Sequence, residues 1–427
     1  MVSIVVIGGG WAGCGAAVTA AKLGAKVTLL ERTDLLLGTG LAGGIMRNNG
    51  RWTATEEAIA LGGGAIFKVI DGTCRSRNIK FPGQENVSVY DLNNIEPRIR
   101  KFLVGLGIDI KFESRVTNVH LKNSEIESVV LNNDETEVAK GDIFVETTGS
   151  AGPWNICSSY GNGCVMCILR CHTFGGRVSV ASKAGIKEAS GLGSKESVGA
   201  MSGSCLVSKE SLSTNLVRQL NEKGVLVVKI PTGSRVSKQL DVKACPQYGA
   251  KEFSESLIVL DAGYAKIMVP FFPLEKLRSV PGFERAIYVD PLGGTRGNSI
   301  RYASFSPREN TLQVKGVSNL FCGGEKTGPV AGHTEAMITG MVAGYNAVRH
   351  GKGKVLHALP KELLIGDFIS FVADQTANRE GLRKRFTFSG SVYFERMKAM
   401  GFYTINKNTI QNRVKRAGLQ NAFLNLS

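Results

Sequence analysis

The sequence lacks any unbroken apolar run of the roughly 18 residues that a membrane helix requires, so we expect no membrane partner or span. It also leaves no room for a secretion leader, because the first predicted strand, residues 3–7, begins almost at the first residue. Without such a leader, the nine cysteines are better interpreted as thiols or metal ligands than as structural disulfides. Together these absences predict a cytoplasmic protein.

Glycine and positive charge are abundant. The 52 glycines in 427 residues exceed the average share of roughly 7%, which indicates many positions of positive φ or close backbone approach and is typical of nucleotide binders. The formal net charge is +16, and residues 352–427 hold 13 lysines and arginines against five aspartates and glutamates. Such a segment could meet RNA, an acidic protein or only solvent.

Residues 3–31 have the pattern of a strand, a glycine turn, a helix and a second strand. Gly8, Gly10 and Gly13 form a G-x-G-x-x-G motif at the turn, where absent side chains let the backbone turn tightly and approach a pyrophosphate. Glu31 ends the second strand and can accept hydrogen bonds from ribose hydroxyls. We therefore expect these four residues to bind a dinucleotide.

Two later segments resemble the remaining signatures of FAD-binding proteins of the glutathione-reductase type. GDIFVETTGSAG is a buried strand that turns at Gly149. VSNLFCGGEKTGPVAGHTEAMITGMVAG begins at residue 317 and contains Gly324, Glu325 and Gly332 before a predicted helix. The resemblance implies that these residues contact a non-covalently bound FAD. No second G-x-G-x-x-G stands in a βαβ context, so we expect no separate NAD(P)H domain.

With these motifs the chain resembles the FAD-dependent oxidoreductases related to glucose-inhibited division protein A and the folate/FAD-dependent tRNA uridine methyltransferase. Glu325 stands where the RNA-modifying relatives have glutamine. The resemblance implies an α/β fold with a Rossmann-type, glutathione-reductase-like FAD-binding domain, an inserted α+β domain and a helical C-terminal segment.

The predicted domain boundaries follow changes in composition along the chain. Residues 1–156 and 311–356 are expected to form the FAD-binding domain, and residues 157–310 a cysteine-rich substrate domain inserted into it. Residues 357–427 are expected to form a basic helical segment. Within the first part, the pattern predicts a helix over residues 94–106 followed by a three-stranded meander, and a glycine-rich connector over residues 35–64.

Four cysteines, Cys157, Cys164, Cys167 and Cys171, have the spacing C-x6-C-x2-C-x3-C directly after the second signature. Four thiolates are the number that a [4Fe-4S] cluster or a structural zinc requires, and a cluster beside a flavin could pass it single electrons. Metal-free thiols, as a redox pair or as packing residues, are the other alternative. We expect the cluster first and zinc second.

Three residues of the last signature are candidate reaction groups. His333 and Glu335 stand at the start of the last predicted helix, where a histidine or carboxylate can move protons, although both could instead serve only the helix terminus. Lys326 could hydrogen-bond the flavin or neutralise its reduced anion.

The leading hypothesis is an enzyme, an FAD-dependent oxidoreductase that acts on a small molecule or an electron carrier and is coupled to the cluster if one is present. The alternative is a flavin-dependent enzyme that modifies tRNA or rRNA, supported by the family resemblance and the basic C-terminal segment. A flavin-containing scaffold or RNA-binding protein without turnover is a third hypothesis. A homo-oligomer is expected in each case.

Overall fold

The computed structural model describes residues 1–149, 170–192, 200–202, 204–235, 251–269, 272–289, 299–301 and 303–426. In these ranges the strands are, in chain order, β1 Ser3–Ile7, β2 Lys26–Leu30, β3 Ile45–Arg47, β4 Cys74–Phe81, β5 Gln84–Tyr90, β6 Asp109–Lys111, β7 Val116–Lys122, β8 Glu125–Leu131, β9 Asp134–Lys140, β10 Ile143–Glu146, β11 Ala189–Ser190, β12 Ala200–Ser202, β13 Cys205–Val207, β14 Val225–Lys229, β15 Ser256–Asp261, β16 Ala265–Ile267, β17 Ser299–Arg301, β18 Ser304–Phe305 and β19 Leu320–Cys322.

The α-helices of the same ranges are α1 Trp11–Lys22, α2 Gly40–Gly43, α3 Gly50–Ala58, α4 Gly64–Asp71, α5 Ile95–Gly105, α6 Cys171–Phe174, α7 Val180–Lys183, α8 Thr214–Lys223, α9 Lys251–Glu255, α10 Leu274–Arg278, α11 His333–Gly351, α12 Leu364–Thr376, α13 Arg379–Leu382, α14 Ser391–Ala399 and α15 Lys407–Arg416. None of these helices is both long and apolar enough to cross a bilayer.

A five-stranded parallel sheet with the order β19-β10-β1-β2-β6 lies at the centre of the fold. The middle strands are short apolar runs that are almost fully buried, as expected where helices or a second layer cover both faces of a parallel sheet. This sheet confirms the expected α/β fold. Because parallel strands share a direction, the turns after β1, β10 and β19 meet at one edge.

Helices α1 and α11 pack against each other with backbone in contact. A Cβ built on Gly340 would lie 1.9 Å from the carbonyl oxygen of Ala12, and one on Gly344 would lie 2.4 Å from that of Ala16. A Cβ on Gly15 would likewise lie 2.4 Å from the oxygen of Met337. The small residues of both helices therefore permit this approach, and both helix N-termini lie at the sheet edge where the turns meet.

The other sheets of the described residues are antiparallel. The predicted meander is confirmed as β7-β8-β9, and helix α5 confirms the helix predicted over residues 94–106. Strands β13-β16-β15-β14 form a four-stranded sheet from residues assigned to the inserted domain. The boundaries of that domain stay a prediction.

Two features of the fold differ from the expectation. The segment expected to be a glycine-rich connector contains helix α3, whose residues are almost all buried. The hairpin of β4 and β5 was not anticipated, because its strands carry polar residues and irregular register that obscure the two-residue alternation.

The C-terminal segment is helical, as expected, and is anchored to the rest of the chain by buried polar contacts. Both oxygens of the Glu57 carboxylate, on α3, accept backbone N–H bonds at the start of α12, from Leu364 at 3.1 Å and Ile365 at 2.8 Å. Burial raises the pKa of Glu57, an effect that these hydrogen bonds and Arg413 on α15 oppose. Residues from both ends of the chain therefore share one core.

Candidate functional site

The turn between β1 and α1 is built around two glycines that the protein itself requires. Gly8 has φ of +104°, and a Cβ there would lie 2.6 Å from the carbonyl oxygen of Thr147. A Cβ on Gly13 would lie only 1.8 Å from the carbonyl oxygen of Gly8. Since real Cβ atoms do not approach so closely, both positions need glycine for the turn to form.

Gly10 differs from both neighbours of the motif. Its φ of −66° and ψ of −178° are open to any residue, and nothing lies within 4 Å of a Cβ built on it. It precedes the first turn of α1, where backbone N–H groups and the helix dipole favour an anion. The space over Gly10 is therefore available to a ligand.

Glu31 lies at the end of β2 with its carboxylate buried beside the same turn. One oxygen accepts a hydrogen bond from the Gly9 N–H at 2.7 Å, and the other accepts from the Thr33 N–H at 2.8 Å and from the Thr33 hydroxyl at 3.0 Å. Glu31 therefore lies where its place at the end of the second strand predicted, and it also holds the glycine turn, which that place did not reveal.

The turns after β10 and β19 form the opposite wall. The Thr147 hydroxyl donates to the carbonyl oxygens of Ile7 at 2.9 Å or Gly8 at 2.7 Å, which joins this wall to the first turn. Gly149 and Gly324 have φ of +71° and +68°, the left-handed region that favours glycine. Glu325 follows at the edge of the wall and is partly buried.

An open cleft lies between these turns. Of the eight residues expected to bind a cofactor, all but one line it, namely Gly8, Gly10, Glu31, Gly149, Gly324, Glu325 and Gly332. Gly13 acts beneath the turn instead. The described part of the lining also contains four arginines that sequence reasoning missed, Arg32, Arg115, Arg170 and Arg177.

Two of these arginines hold a segment of chain beside the cleft. Arg32 donates to the carbonyl oxygen of Gly175 at 2.5 Å, and Arg115 donates to that of Gly176 at 2.8 Å. Burial, and secondarily the nearby charge of Arg32, lowers the pKa of Arg115. The adjacency of Arg32 to Glu31 was the sequence signal that could have identified the first of them.

His333 lies in the cleft wall at the first residue of α11. Its Nδ1 lies 3.2 Å from the carbonyl oxygen of Ile45, which can only accept, so Nδ1 carries the proton in this contact. The ring packs among Trp11 and Tyr90, with centroid distances of 6.4 and 6.3 Å. A Cβ on Gly43 would lie 1.6 Å from the ring, so glycine there makes room for it.

Lys326 does not line the cleft. Its side chain is fully buried and forms ion pairs with Glu188 and, at 3.4 Å, with Glu146. It also donates to the Ser179 hydroxyl at 3.1 Å. Burial would lower the pKa of Lys326, but the two carboxylates raise it, so the ammonium group is charged and held inside the wall.

Glu335 also lies outside the cleft lining, directly behind it. Its buried carboxylate accepts from Arg51 Nε at 2.9 Å and from the Thr387 hydroxyl at 2.6 Å and the Phe388 N–H at 2.7 Å. A Cβ on Gly332 would lie 1.9 Å from this carboxylate and 2.1 Å from Arg51. Gly332 also has φ of +138°, so both its backbone conformation and the ion pair exclude a side chain at the position before His333.

Most of the predicted cysteine site lies outside the described residues, because only Cys171 of the four falls within them. Cys171 begins the short helix α6 and is partly buried. Within the described ranges, no group of three or more potential ligand side chains could hold a metal ion. The metal site therefore stays a prediction.

The parallel sheet, with glycine turns and two helix N-termini at its carboxyl edge, defines a Rossmann-type α/β protein. The chain belongs to the glucose inhibited division protein A family, whose model matches residues 3–261 and 268–355. This membership confirms the family resemblance found in the sequence.

Among curated proteins, the chain is 34% identical over 115 residues to the tRNA uridine 5-carboxymethylaminomethyl modification enzyme MnmG of Chlorobaculum tepidum, an alignment that covers 25% of the chain and 18% of that enzyme. It is 37% identical over 98 residues to the methylenetetrahydrofolate–tRNA-(uracil-5-)-methyltransferase TrmFO of Bacillus pumilus, covering 23% of the chain and 22% of that enzyme. The matches thus span about a fifth of these relatives' lengths.

Among solved structures, GidA of Aquifex aeolicus superposes with a TM-score of 0.71 at 19% identity, covering 100% of the chain and 74% of that protein. A flavoprotein/dehydrogenase from Cytophaga hutchinsonii gives 0.51 at 13% identity, covering 99% and 95%. At these identities the likeness shows the fold.

Proposed function

We propose that the chain is a flavin-dependent enzyme that binds FAD non-covalently in the cleft and modifies uridine in tRNA. The observation that carries the cofactor assignment is the open space over Gly10, in a turn whose other glycines are required by the protein's own packing. The tRNA assignment rests on family membership and on the relatives' names, which describe uridine modification.

The residues present fit FAD. The Gly10 amide region and the N-terminus of α1 would hold the pyrophosphate, and Glu31 would accept from the adenosine ribose. The cleft runs past Gly10, Gly149 and Gly324, so one extended ligand there would meet the turns after β1, β10 and β19. When bound, FAD supplies hydride-transfer chemistry to the site.

His333 is the proposed proton-transfer residue. Its Nδ1–H is directed to the Ile45 carbonyl, and Trp11 and Tyr90 fix the ring plane. A ring fixed in this way can gain and lose a proton at Nε2 while its orientation stays constant. We expect His333→Gln to lower the turnover rate about 10²- to 10⁴-fold without loss of flavin.

Lys326 and Glu335 are proposed as positioning residues. Each is buried in ion pairs behind the wall, so each acts by holding the turn that carries Glu325, Gly332 and His333. Their substitution should change protein stability and flavin content together, whereas a change at His333 should separate turnover from both.

The basic C-terminal segment is the proposed contact for RNA. Its residues 386–389 run beside the loop before α11, where the Ala331 N–H donates to the Phe386 carbonyl at 3.0 Å. Arg383 and Lys384 precede Phe386, the residue that makes this contact, by three and two positions. Arg385 donates to the carbonyl oxygen of Leu192 and so also has a structural role, and a test of RNA binding therefore replaces Arg383 and Lys384 and leaves Arg385 unchanged.

The cofactor assignment is tested with Gly10→Val. Gly105→Val is the matched control, because a Cβ at Gly105 also meets nothing within 4 Å but lies away from the cleft. We expect Gly10→Val to fold with the wild-type melting profile of the flavin-free protein and to lose bound flavin, while the control keeps both. Full flavin content in Gly10→Val would reject the placement. Release of the flavin by acid precipitation would show that it is non-covalent.

The tRNA assignment is tested by incubating the holoenzyme with unmodified tRNA and analysing the nucleosides by mass spectrometry. A modified uridine that requires bound flavin is the expected product. Failure to bind or modify any RNA, with flavin turnover on a small molecule or an electron carrier, would favour the oxidoreductase hypothesis instead. Size-exclusion chromatography with light scattering tests the expected homo-oligomer.

Nothing in the comparisons supports the cysteine-ligated [4Fe-4S] cluster, and it stays a separate prediction. Iron, acid-labile sulfide and zinc should be measured on anaerobically prepared wild type and Cys164→Ser. Iron and sulfide that are present in the wild type and lost in the variant would support the cluster. Stoichiometric zinc would indicate a structural zinc site. If neither metal is found, the cysteines are metal-free thiols.

A further inference from the structure

A second cavity lies at the C-terminal end of α11, opposite the cleft. It is open to solvent, and the described residues that line it fall within residues 345–357 and 418–425. Arg349 and His357 belong to its wall. From His333 to Arg349 the helix rises about 24 Å, so this cavity is distinct from the cofactor cleft.

Arg349 is held with its guanidinium at the cavity. Nε donates to the Val355 carbonyl at 2.7 Å and Nη1 to the Tyr345 hydroxyl at 3.1 Å, which leaves Nη2 without a hydrogen bond to any described residue. The His357 ring packs against Tyr345 at 6.3 Å, and its nitrogens likewise make no hydrogen bond within the described ranges. The cavity therefore presents a charged donor and an imidazole to a ligand.

The two chain segments that line the cavity are free of acidic residues in sequence. Residues 336–361 and 396–426 contain no aspartate or glutamate, although both segments contain several lysines and arginines. Exposed basic side chains flank the lining residues in sequence, namely Lys352, Lys354, Lys415 and Arg416. Such surroundings favour a phosphate over a neutral ligand.

We propose that this cavity binds a phosphate group of RNA, with the attached nucleotide against His357 and the side-chain amides of Gln420 and Asn425. Arg349 supplies the charge and donor geometry that phosphate prefers, and an imidazole and amides are common partners of an unstacked base. The inference rests on the proposed RNA substrate. The cavity would be a second attachment point for that RNA, about 24 Å along α11 from the cleft.

The test measures binding of fluorescent tRNA to the flavin-loaded full chain across a range of salt. Arg349→Gln and His357→Ala are compared with Arg218→Gln, which removes one exposed arginine from α8. We expect each cavity variant to bind about tenfold more weakly, with Arg349→Gln flattening the salt dependence by about one phosphate contact, and the control to change less than about twofold. Gln420→Ala gives a variant that leaves the Arg349 contacts intact.

Inorganic phosphate, followed through the NMR signals of the His357 ring, tests the cavity directly. Phosphate-dependent shifts together with weakened RNA binding in the variants would support the proposal. Phosphate binding with unchanged RNA affinity would assign the cavity to free phosphate and overturn the RNA assignment. If the wild type binds RNA and every cavity variant binds it equally well, this inference is rejected and the proposed function is not. If the wild type does not bind RNA, the proposed function is rejected as well.

Discussion

The first and last turns of the cleft are both glycine turns, but different atoms demand the glycines. In the first turn, the carbonyl oxygen of Thr147 excludes a side chain at Gly8, and the carbonyl oxygen of Gly8 excludes one at Gly13. In the last turn, Gly332 has φ of +138°, and the side chains of Arg51 and Glu335 also occupy the space that its Cβ would need. Backbone atoms alone therefore require the glycines of the first turn, whereas the last turn depends in addition on a buried ion pair between residues distant in sequence.

The largest expected effect comes from breaking the ion pair of the last turn. Arg51→Met leaves the fully buried Glu335 carboxylate without its cation, which costs about 3–5 kcal/mol when one partner of a buried pair is removed. Urea unfolding of the flavin-free protein measures the loss. The double variant Arg51→Met/Glu335→Gln should recover part of it, and a single variant within 1 kcal/mol of the wild type would contradict a stabilising role.

Substitutions in the first turn should distinguish the roles of two glycines of one motif, Gly13 in folding and Gly10 in ligand binding. Gly13→Ala places a Cβ against the Gly8 carbonyl and should cost about 1–3 kcal/mol as an overpacked core position. Gly10→Ala should leave the unfolding free energy of the flavin-free protein unchanged and weaken flavin binding. Equal destabilisation by both substitutions would mean that Gly10 also has a packing role.

The smallest expected effect is a loss of folding stability at acid pH, at the ion pair of Glu188 with Lys326. Burial alone would raise the pKa of Glu188, but Lys326 and the hydroxyls of Ser304 and Ser179 lower it below its ordinary 4.5. A lowered pKa in the folded state contributes stability that is present above pH 4.5 and is lost as the pH falls through the folded value. The stability difference between wild type and Glu188→Gln should therefore shrink below that pH, measured by thermal unfolding. A difference independent of pH would assign the effect to packing.

The features of the fold that were predictable follow from local sequence. Strand β1, the glycine turn and helix α1 were predicted because their pattern repeats over neighbouring residues, and the turn after β10 carries a recognisable signature. The position of His333 at a helix start was predictable for the same reason. The pairing of Arg51 with Glu335 was not predictable, because 284 positions separate them and no local pattern links them.

Helix α3 shows the limit of composition as a guide. Its segment is rich in glycine and was expected to be a connector, but tertiary contacts with α11, α12 and α15 stabilise it as a helix. Similarly, Lys326 was expected at the cofactor because of its place in the signature. Its position in the sequence could not reveal that the side chain is buried in ion pairs with Glu146 and Glu188.

The backbone contact between α1 and α11 has a mechanical consequence for exchange of a bound molecule. Where Gly340 meets Ala12, no side chain can change rotamer to let the helices slide or part, so the distance between their two N-termini is fixed by main-chain atoms. A ligand held between those termini therefore enters and leaves through movement elsewhere. Single side-chain hydrogen bonds from Arg32 and Arg115 hold the segment at Gly175 and Gly176, so we expect movement there rather than between the paired helices.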